Sequence, residues 1–176
     1  SLRNSDLDAV ILNPGPTLTH LTGLRFHLME RPVVLMFAKD QDPAIVLPEL
    51  ELQKVAALPY KLQVFAYPEN PSEWDNAFRK AAQALGLDRK RIGVEPRQLR
   101  LLEFHHVKAG APEADYPDAS DVLAGLRLKK DSAEVEAMRR AVQIAQEALE
   151  ATLPLIKIGM AEKELSAELV VQLLRH

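Results

Sequence analysis

The sequence predicts an α/β fold, a mixed β-sheet flanked by helices, followed by a wholly helical segment. Three features carry that expectation. Short apolar runs bounded by turn-forming residues recur through the first two-thirds of the chain, as buried strands do. Stretches of helical period lie between them, and such alternation points to a sheet with helices on its faces. Two of the runs are joined only by Lys39-Asp40-Gln41-Asp42, a polar connection of hairpin length. A hairpin among otherwise alternating elements makes the sheet mixed rather than purely parallel.

Taken in order, Ala9-Val10-Ile11-Leu12 is the first strand, ended by Asn13-Pro14-Gly15-Pro16. Pro14-Gly15 suits the centre of a type II turn, because Pro fixes φ and Gly accepts φ > 0. A helix-like stretch, Thr17–Thr22, comes next. Pro32 to Ala38 and Pro43 to Pro48 form the hairpin strands, and Lys61 to Tyr67 alternates in the half-buried manner. Leu50 to Leu58 is a shorter helical candidate between them. Ser72 to Leu85 opens with a capping-box-like Ser72-x-x-Asp75 and closes before Gly86. Arg91 to Glu95 is another short strand. Arg97 to Ala109 follows Pro96 and ends at Gly110, with Pro at the start and Gly past the end of the helix. Gly110 to Asp121 is rich in turn formers and reads as a connector with one short edge strand near Ala114.

From Leu126 onward the pattern is helical throughout. Asp131-x-x-Glu134 places a capping carboxylate and a returning one at a helix start. Val135, Met138, Val142, Ala145, Leu149, Leu153 and Ile156 then form one apolar stripe. Pro154 kinks or ends this helix, and Lys157-Ile158-Gly159 breaks the chain before a last one, Met160 to His176. That last helix meets no Gly, Asn or Pro stop signal, so the sequence reads as a fragment. Its stripe of Leu165, Leu169 and Leu173, with that of the preceding helix, is expected to seek a partner surface and to drive self-association.

Composition sets the limits of function. The 176 residues suit about one domain and carry 22 basic and 25 acidic side chains, a net charge of −3. That balance does not predict a nucleic-acid partner. No run approaches the roughly 18 apolar residues of a membrane span, so no membrane partner is expected. Cysteine is absent, which excludes disulfides, thiolate nucleophiles and sulfur-ligated zinc, and fits a cytoplasmic location. Only 7 glycines are present, which argues against phosphate-cradling loops, and the single glycine of Asn13-Pro14-Gly15-Pro16 cannot make a dinucleotide fingerprint.

Chemistry-bearing constellations are scarce. His105 and His106 are adjacent in a predicted helix, so their side chains diverge by about 100° and chelate poorly. They read as one partly buried and one solvated imidazole. There is no HExxH motif and no GxSxG elbow. Glu49 and Glu51 read as a solvated loop edge, and Arg127, Lys129 and Lys130 as a solvated helix entry answered by nearby carboxylates. One loop concentrates recognition chemistry. Leu24-Arg25-Phe26-His27-Leu28-Met29-Glu30-Arg31 combines guanidinium, imidazole and aromatic groups, which suit a carboxylate or peptide end. The alternative is a connector whose Phe26 and Leu28 cover the core edge while its charges are solvated.

Asp8-Ala9-Val10-Ile11-Leu12 followed by His20-Leu21-Thr22-Gly23-Leu24 resembles the creatinase/prolidase N-terminal domain, with its DAllI strand and YLTGF motif. Ile92-Gly93-Val94-Glu95 is similar to that domain's IGvE strand. Leu126-Arg127-Leu128-Lys129-Lys130-Asp131-x-x-Glu134-x-x-x-Met138-Arg139-x-Ala141, then Gly159-Met160-Ala161-Glu162-x-Glu164-Leu165, is similar to the opening of a pita-bread metallopeptidase domain. Three positions depart from the pattern. His20 and Leu24 replace aromatic residues, and Ala161 replaces a threonine whose hydroxyl would cap a helix.

The resemblance implies a ribonuclease H-like N-terminal domain over 1–125 and the first helices of a truncated pita-bread catalytic domain over 126–176. It implies a parent hydrolase of the Xaa-Pro dipeptidase or aminopeptidase type, acting on a dipeptide or peptide substrate. Such a parent uses two divalent metal ions (Mn, Co or Zn) to activate a bridging water. Their Asp, Asp, His, Glu and Glu ligands are expected beyond His176. The fragment itself is then expected to hold no catalytic residue and no metal ligand, and to be inactive alone. Its expected roles are dimerisation, as a homodimer, and walling of the active site. Arg25, His27 and Arg31 are the candidate substrate contacts. Two alternatives stay open: a creatinase-like amidinohydrolase, and a non-catalytic binding or dimerisation module.

Overall fold

The computed structural model describes residues 2–176. Two compact units divide between Leu128 and Lys129. The first is built on a five-stranded sheet. Its strands are β1 (Ala9–Leu12), β2 (Val34–Ala38), β3 (Ala44–Pro48), β4 (Gln63–Tyr67) and β5 (Ile92–Gly93), in the spatial order β4-β3-β2-β1-β5. β2 is antiparallel to both β1 and β3, whereas β3–β4 and β1–β5 are parallel. The sheet is mixed, as the short hairpin link between β2 and β3 requires.

The strands read as unbroken apolar runs because both faces of the sheet are covered. On one face Ala9, Ile11, Val34, Met36, Ala44 and Val46 pack with Trp74, Phe78, Ala81 and Ala82 of α2 (Trp74–Ala84) and Val107 of α3 (Leu101–Gly110). On the other, Val10, Leu12, Leu35, Ile45 and Leu47 meet Leu18 of α1 (Pro16–Thr22) and Leu123 of α4 (Ser120–Leu128). Alternate residues of β1, β2 and β3 therefore serve opposite cores, and a one-residue slip would exchange the two sets. The edge beyond β5 is covered by the segment predicted near Ala114, which bridges Asp115 to Arg91 and Asp118 to Val94.

Helix ends account for most differences from expectation. α2 does not start on Ser72. Asn70 caps a short 3₁₀ turn over Pro71–Glu73 by accepting a hydrogen bond from the Ser72 N–H, and the α-helix proper starts at Trp74. Its C-terminus has the expected left-handed glycine, with Gly86 at φ 60° and the Leu87 N–H donating to the Ala82 carbonyl. The predicted first turn of α3 is instead a turn in which Gln98 and Leu99 donate to the Glu95 carbonyl. Gly110 lies inside α3 rather than past it, and its backbone is not left-handed. A Cβ there would stand 2.9 Å from the Phe78 carbonyl oxygen, so this glycine permits α2 and α3 to approach. The Pro14-Gly15 turn is not type II, because Gly15 is extended at φ 167°. The Leu50–Leu58 candidate is a 3₁₀ turn over Glu49–Val55.

The second unit pairs α5 (Ser132–Thr152) with α6 (Glu162–Arg175). Asp131 accepts from the Glu134 N–H at 2.8 Å while Glu134 accepts from the Asp131 N–H at 2.9 Å, a complete capping box. At α6 only half of the box forms. Glu164 accepts the Ala161 N–H at 2.8 Å, but an alanine side chain offers no oxygen in return. Met138, Val142, Leu149 and Leu153 are half exposed or more. Among the described residues no helix is long and apolar enough to cross a membrane.

Candidate functional site

Strand direction gathers the polar residues at one end of the sheet. β1, β3, β4 and β5 run the same way, so their carboxyl ends share an end with the start of β2. The α1 entry, the Arg25–Arg31 loop, the β4–α2 connection and the segment after β5 all emerge there. Ligands of open α/β sheets favour such crevices.

The loop is held at both ends. At its start the Thr19 hydroxyl donates to the Leu24 carbonyl at 3.0 Å, the Leu24 N–H donates to the Thr22 hydroxyl at 3.1 Å, and the Leu24 side chain is buried. Phe26 packs against the α1-side core and lies under the Lys54 ammonium, 5.1 Å from the ring centroid. At its end the Tyr67 hydroxyl donates to the Pro32 carbonyl at 2.7 Å, and burial pushes the phenol's pKa well above its usual value. The Arg31 Nε and Nη2 donate to Glu69 Oε2 at 3.1 and 2.6 Å, and Nη1 to Glu30 Oε1 at 2.5 Å. The hydrogen bond to Glu69 is the main influence raising the pKa of Arg31.

The structure thus separates the three predicted residues. Arg25 and His27 line one open hollow of about 560 Å³ with Gly15, Pro16, Thr19, His20 and Phe26. Arg31 is an anchor for the loop, its guanidinium engaged by two carboxylates. The hollow presents a guanidinium and two imidazoles beside an aromatic ring, a set suited to an anionic group attached to an apolar body. His20 was visible only as a departure from an aromatic position, with nothing to place it beside Arg25.

Buried polar groups at the same end of the sheet were not legible either. Asn13 is 1% exposed, and neither of its amide atoms has a partner among the described residues. The Thr17 hydroxyl donates to Glu95 Oε1 at 2.8 Å across 78 positions of sequence, while Glu95 Oε2 is buried and unpartnered. Asn13 and Glu95 follow the carboxyl ends of the adjacent parallel strands β1 and β5. The only sequence signal was a polar residue ending each apolar run.

Elsewhere His106 is half-buried and bonded through Nδ1 to Asp75 Oδ1 at 2.6 Å, while His105 is exposed, the division expected of adjacent helical positions. Glu51 pairs with Lys54 at 2.7 Å. Among the described residues no three His, Asp or Glu converge to hold a metal ion. The metal pair implied by the resemblance therefore finds no ligand set among them.

Residues 1–129 match the model of the creatinase/prolidase N-terminal domain. An Xaa-Pro dipeptidase of Lactobacillus delbrueckii subsp. lactis is 23% identical over 173 residues, covering 98% of this chain but 47% of that protein. A dipeptidase from Pyrococcus horikoshii OT3 superposes with a TM-score of 0.83 at 26% identity, over 97% of this chain and 46% of its own. A proline dipeptidase structure from Streptococcus pneumoniae TIGR4 is 29% identical, with a TM-score of 0.63 over 73% of this chain and 93% of its own. The chain spans about half the length of the curated relatives it matches. With the strand order, the motif residues and this match in agreement, the chain belongs to the creatinase/prolidase N-terminal domain family.

Proposed function

We propose that this chain is the N-terminal part of a metal-dependent Xaa-Pro peptidase, in which it walls the active site and contributes to a homodimer. One observation carries the substrate side of the reading. Arg25, His27 and His20 border a single open hollow at the carboxyl end of the sheet, over a loop that is already fixed at both ends. In this reading Arg25 receives the carboxylate of a dipeptide, Phe26 lies against its apolar side chain, and the imidazoles border the remaining polar edge. Arg31 positions the loop through Glu69 and does not touch the substrate. The names of the relatives support the peptidase class, and their greater length leaves room for a catalytic part with its own metal ligands.

The test is an assay of the full-length protein loaded with Mn²⁺ or Co²⁺ on Xaa-Pro dipeptides and on creatine. Hydrolysis of a prolyl dipeptide is expected. In Arg25→Ala the KM should rise about tenfold or more with kcat little changed, the mark of a uniform binding contact. Absence of activity on any prolyl peptide would sink the peptidase reading, and turnover of creatine instead would move the protein to the amidinohydrolases. An unchanged KM in Arg25→Ala would remove the hollow from the substrate's path.

A further inference from the structure

We propose that the outer edge of β4 is a pairing surface for β4 of a second copy of this chain, joining two sheets into one about a twofold axis at Phe65. The inference rests on the dimer in the proposed function and assigns it a surface.

The two edges of the sheet are treated differently. Beyond β5 the 115–118 segment bridges onto the strand, but beyond β4 no strand lies among the described residues. Exposed edges are normally blunted by a proline, an inward lysine or a bulge. β4 reads Gln63-Val64-Phe65-Ala66-Tyr67, without charge or proline, and Val64 is 39% exposed.

Backbone direction fixes which groups are offered. The Gln63 N–H donates to the Pro43 carbonyl at 2.9 Å, so Gln63 faces β3, and with it Phe65 and Tyr67. Leu62, Val64 and Ala66 therefore direct their N–H and C=O groups outward. An antiparallel copy centred on Phe65 puts Val64 opposite the partner copy's position 66, and Ala66 opposite its position 64. Both are then hydrogen-bonded pairs in which every outward N–H meets a carbonyl. Phe65 meets its own equivalent at the non-hydrogen-bonded position, where side chains approach most closely.

Charge selects this register. Counting four residues each way from Phe65 places Lys61 opposite the acidic position 69 of the second copy, and Glu69 opposite its basic position 61. Centring the axis on Val64 instead sets Lys61 against an aromatic position and loses both pairs. Lys61 and Glu69 are exposed, and Glu69 engages Arg31 through Oε2 alone, so the second copy's lysine would meet Oε1. The 64–66 segment is thus self-complementary in hydrogen bonds and in its central aromatic pair, Pro68 ends the ladder because it offers no N–H to the second copy's position 62, and the flanking charges match, as an isologous contact requires.

Sedimentation equilibrium of the whole 176-residue chain tests this with three variants. Val64→Pro deletes an outward N–H while leaving the bonds to β3, so it should raise the dimer dissociation constant about a hundredfold or more. Lys61→Glu, at an exposed position that cannot threaten folding, should raise it about threefold to tenfold at low salt, with the effect fading at high salt. Leu174→Glu, at a residue of α6 that is 83% exposed, should leave it unchanged. Amide exchange at residues 62–66 should slow as concentration rises. A dimer indifferent to Val64→Pro and Lys61→Glu overturns the β4 assignment while keeping the dimer. Loss of dimer in Leu174→Glu alone transfers the contact to the helices and also overturns it. If the 62–66 amides are protected only by an added extended peptide, β4 is a peptide-binding edge and self-pairing is refuted. A monomer at all concentrations up to hundreds of micromolar removes both the surface and the dimer.

Discussion

Gly110→Ala sets two effects of opposite sign against each other. Within a helix, alanine is favoured over glycine by up to about 1 kcal/mol. At Gly110 the new methyl would lie 2.9 Å from the Phe78 carbonyl oxygen and 3.2 Å from both Ala82 Cβ and the Phe78 carbonyl carbon. Two of these atoms are backbone, and Phe78 is fully buried, so α2 and α3 must part by several tenths of an ångström. Overpacking of that kind costs about 1–3 kcal/mol, and it outweighs the propensity gain because Gly110 is the last helical residue. A net loss of about 1–2 kcal/mol follows. With an unfolding entropy of roughly 0.27 kcal/mol/K for a unit of this size, that is a fall in Tm of about 4–7 °C. Gly125 is the control, inside α4 with nothing within 4 Å of its Cβ position. Gly125→Ala should gain about 0.5–1 kcal/mol. Urea denaturation followed by the single tryptophan, Trp74, reads both, since it lies one helical turn before Phe78. A Gly110→Ala protein as stable as the parent or more so would refute the close-approach argument.

Three other outcomes follow from the same geometry. Ala161→Ser should supply the missing half of the capping box and stabilise α6 by about 0.5–1 kcal/mol, seen as a higher denaturation midpoint of the helical unit. Tyr67→Phe removes the hydroxyl that satisfies the buried Pro32 carbonyl and should cost about 1–2 kcal/mol, with faster amide exchange in the 24–33 segment. Burial pushes the Tyr116 phenol up to about 12, where it donates to the Ala111 carbonyl at 2.7 Å. Between about pH 10 and 12 the unfolded chain loses this proton while the folded chain keeps it, so stability is intact below pH 10 and falls as pH rises through that window. In Tyr116→Phe the slope of stability against pH there should become shallower, and an unchanged slope would rule out the phenol as its source.

The central strands were legible because they are buried on both faces, and a strand such as Ala44–Pro48 has no polar residue to blur the pattern, whereas β4 was legible by its half-buried alternation. Helix ends were less so. A propensity rule assigns Gly110 to a left-handed cap, but the residue answers to the Phe78 carbonyl on another helix, which no local rule contains. Ser72 loses the cap because Asn70, two residues earlier, already turns the chain. The candidate site shows the same division. Arg25 and Arg31 are equivalent as letters in one loop, and they differ because Glu69, distant in sequence, joins Glu30 in holding the second. Thr17 and Glu95 come together through the parallel pairing of β1 with β5, which sequence pattern implies only in outline.

The double anchoring of the 25–31 loop has a consequence for affinity. A free loop of this length would surrender on the order of 1 kcal/mol of backbone freedom for each residue fixed around a ligand. Here Leu24 and Pro32 are already fastened, and Phe26 is held against the core and beneath Lys54. Most of that ordering cost has been met in folding. With the backbone already set, a ligand of the proposed kind at Arg25 and His27 would have mainly side-chain ordering to overcome, and would bind more tightly than at an unanchored loop of the same composition.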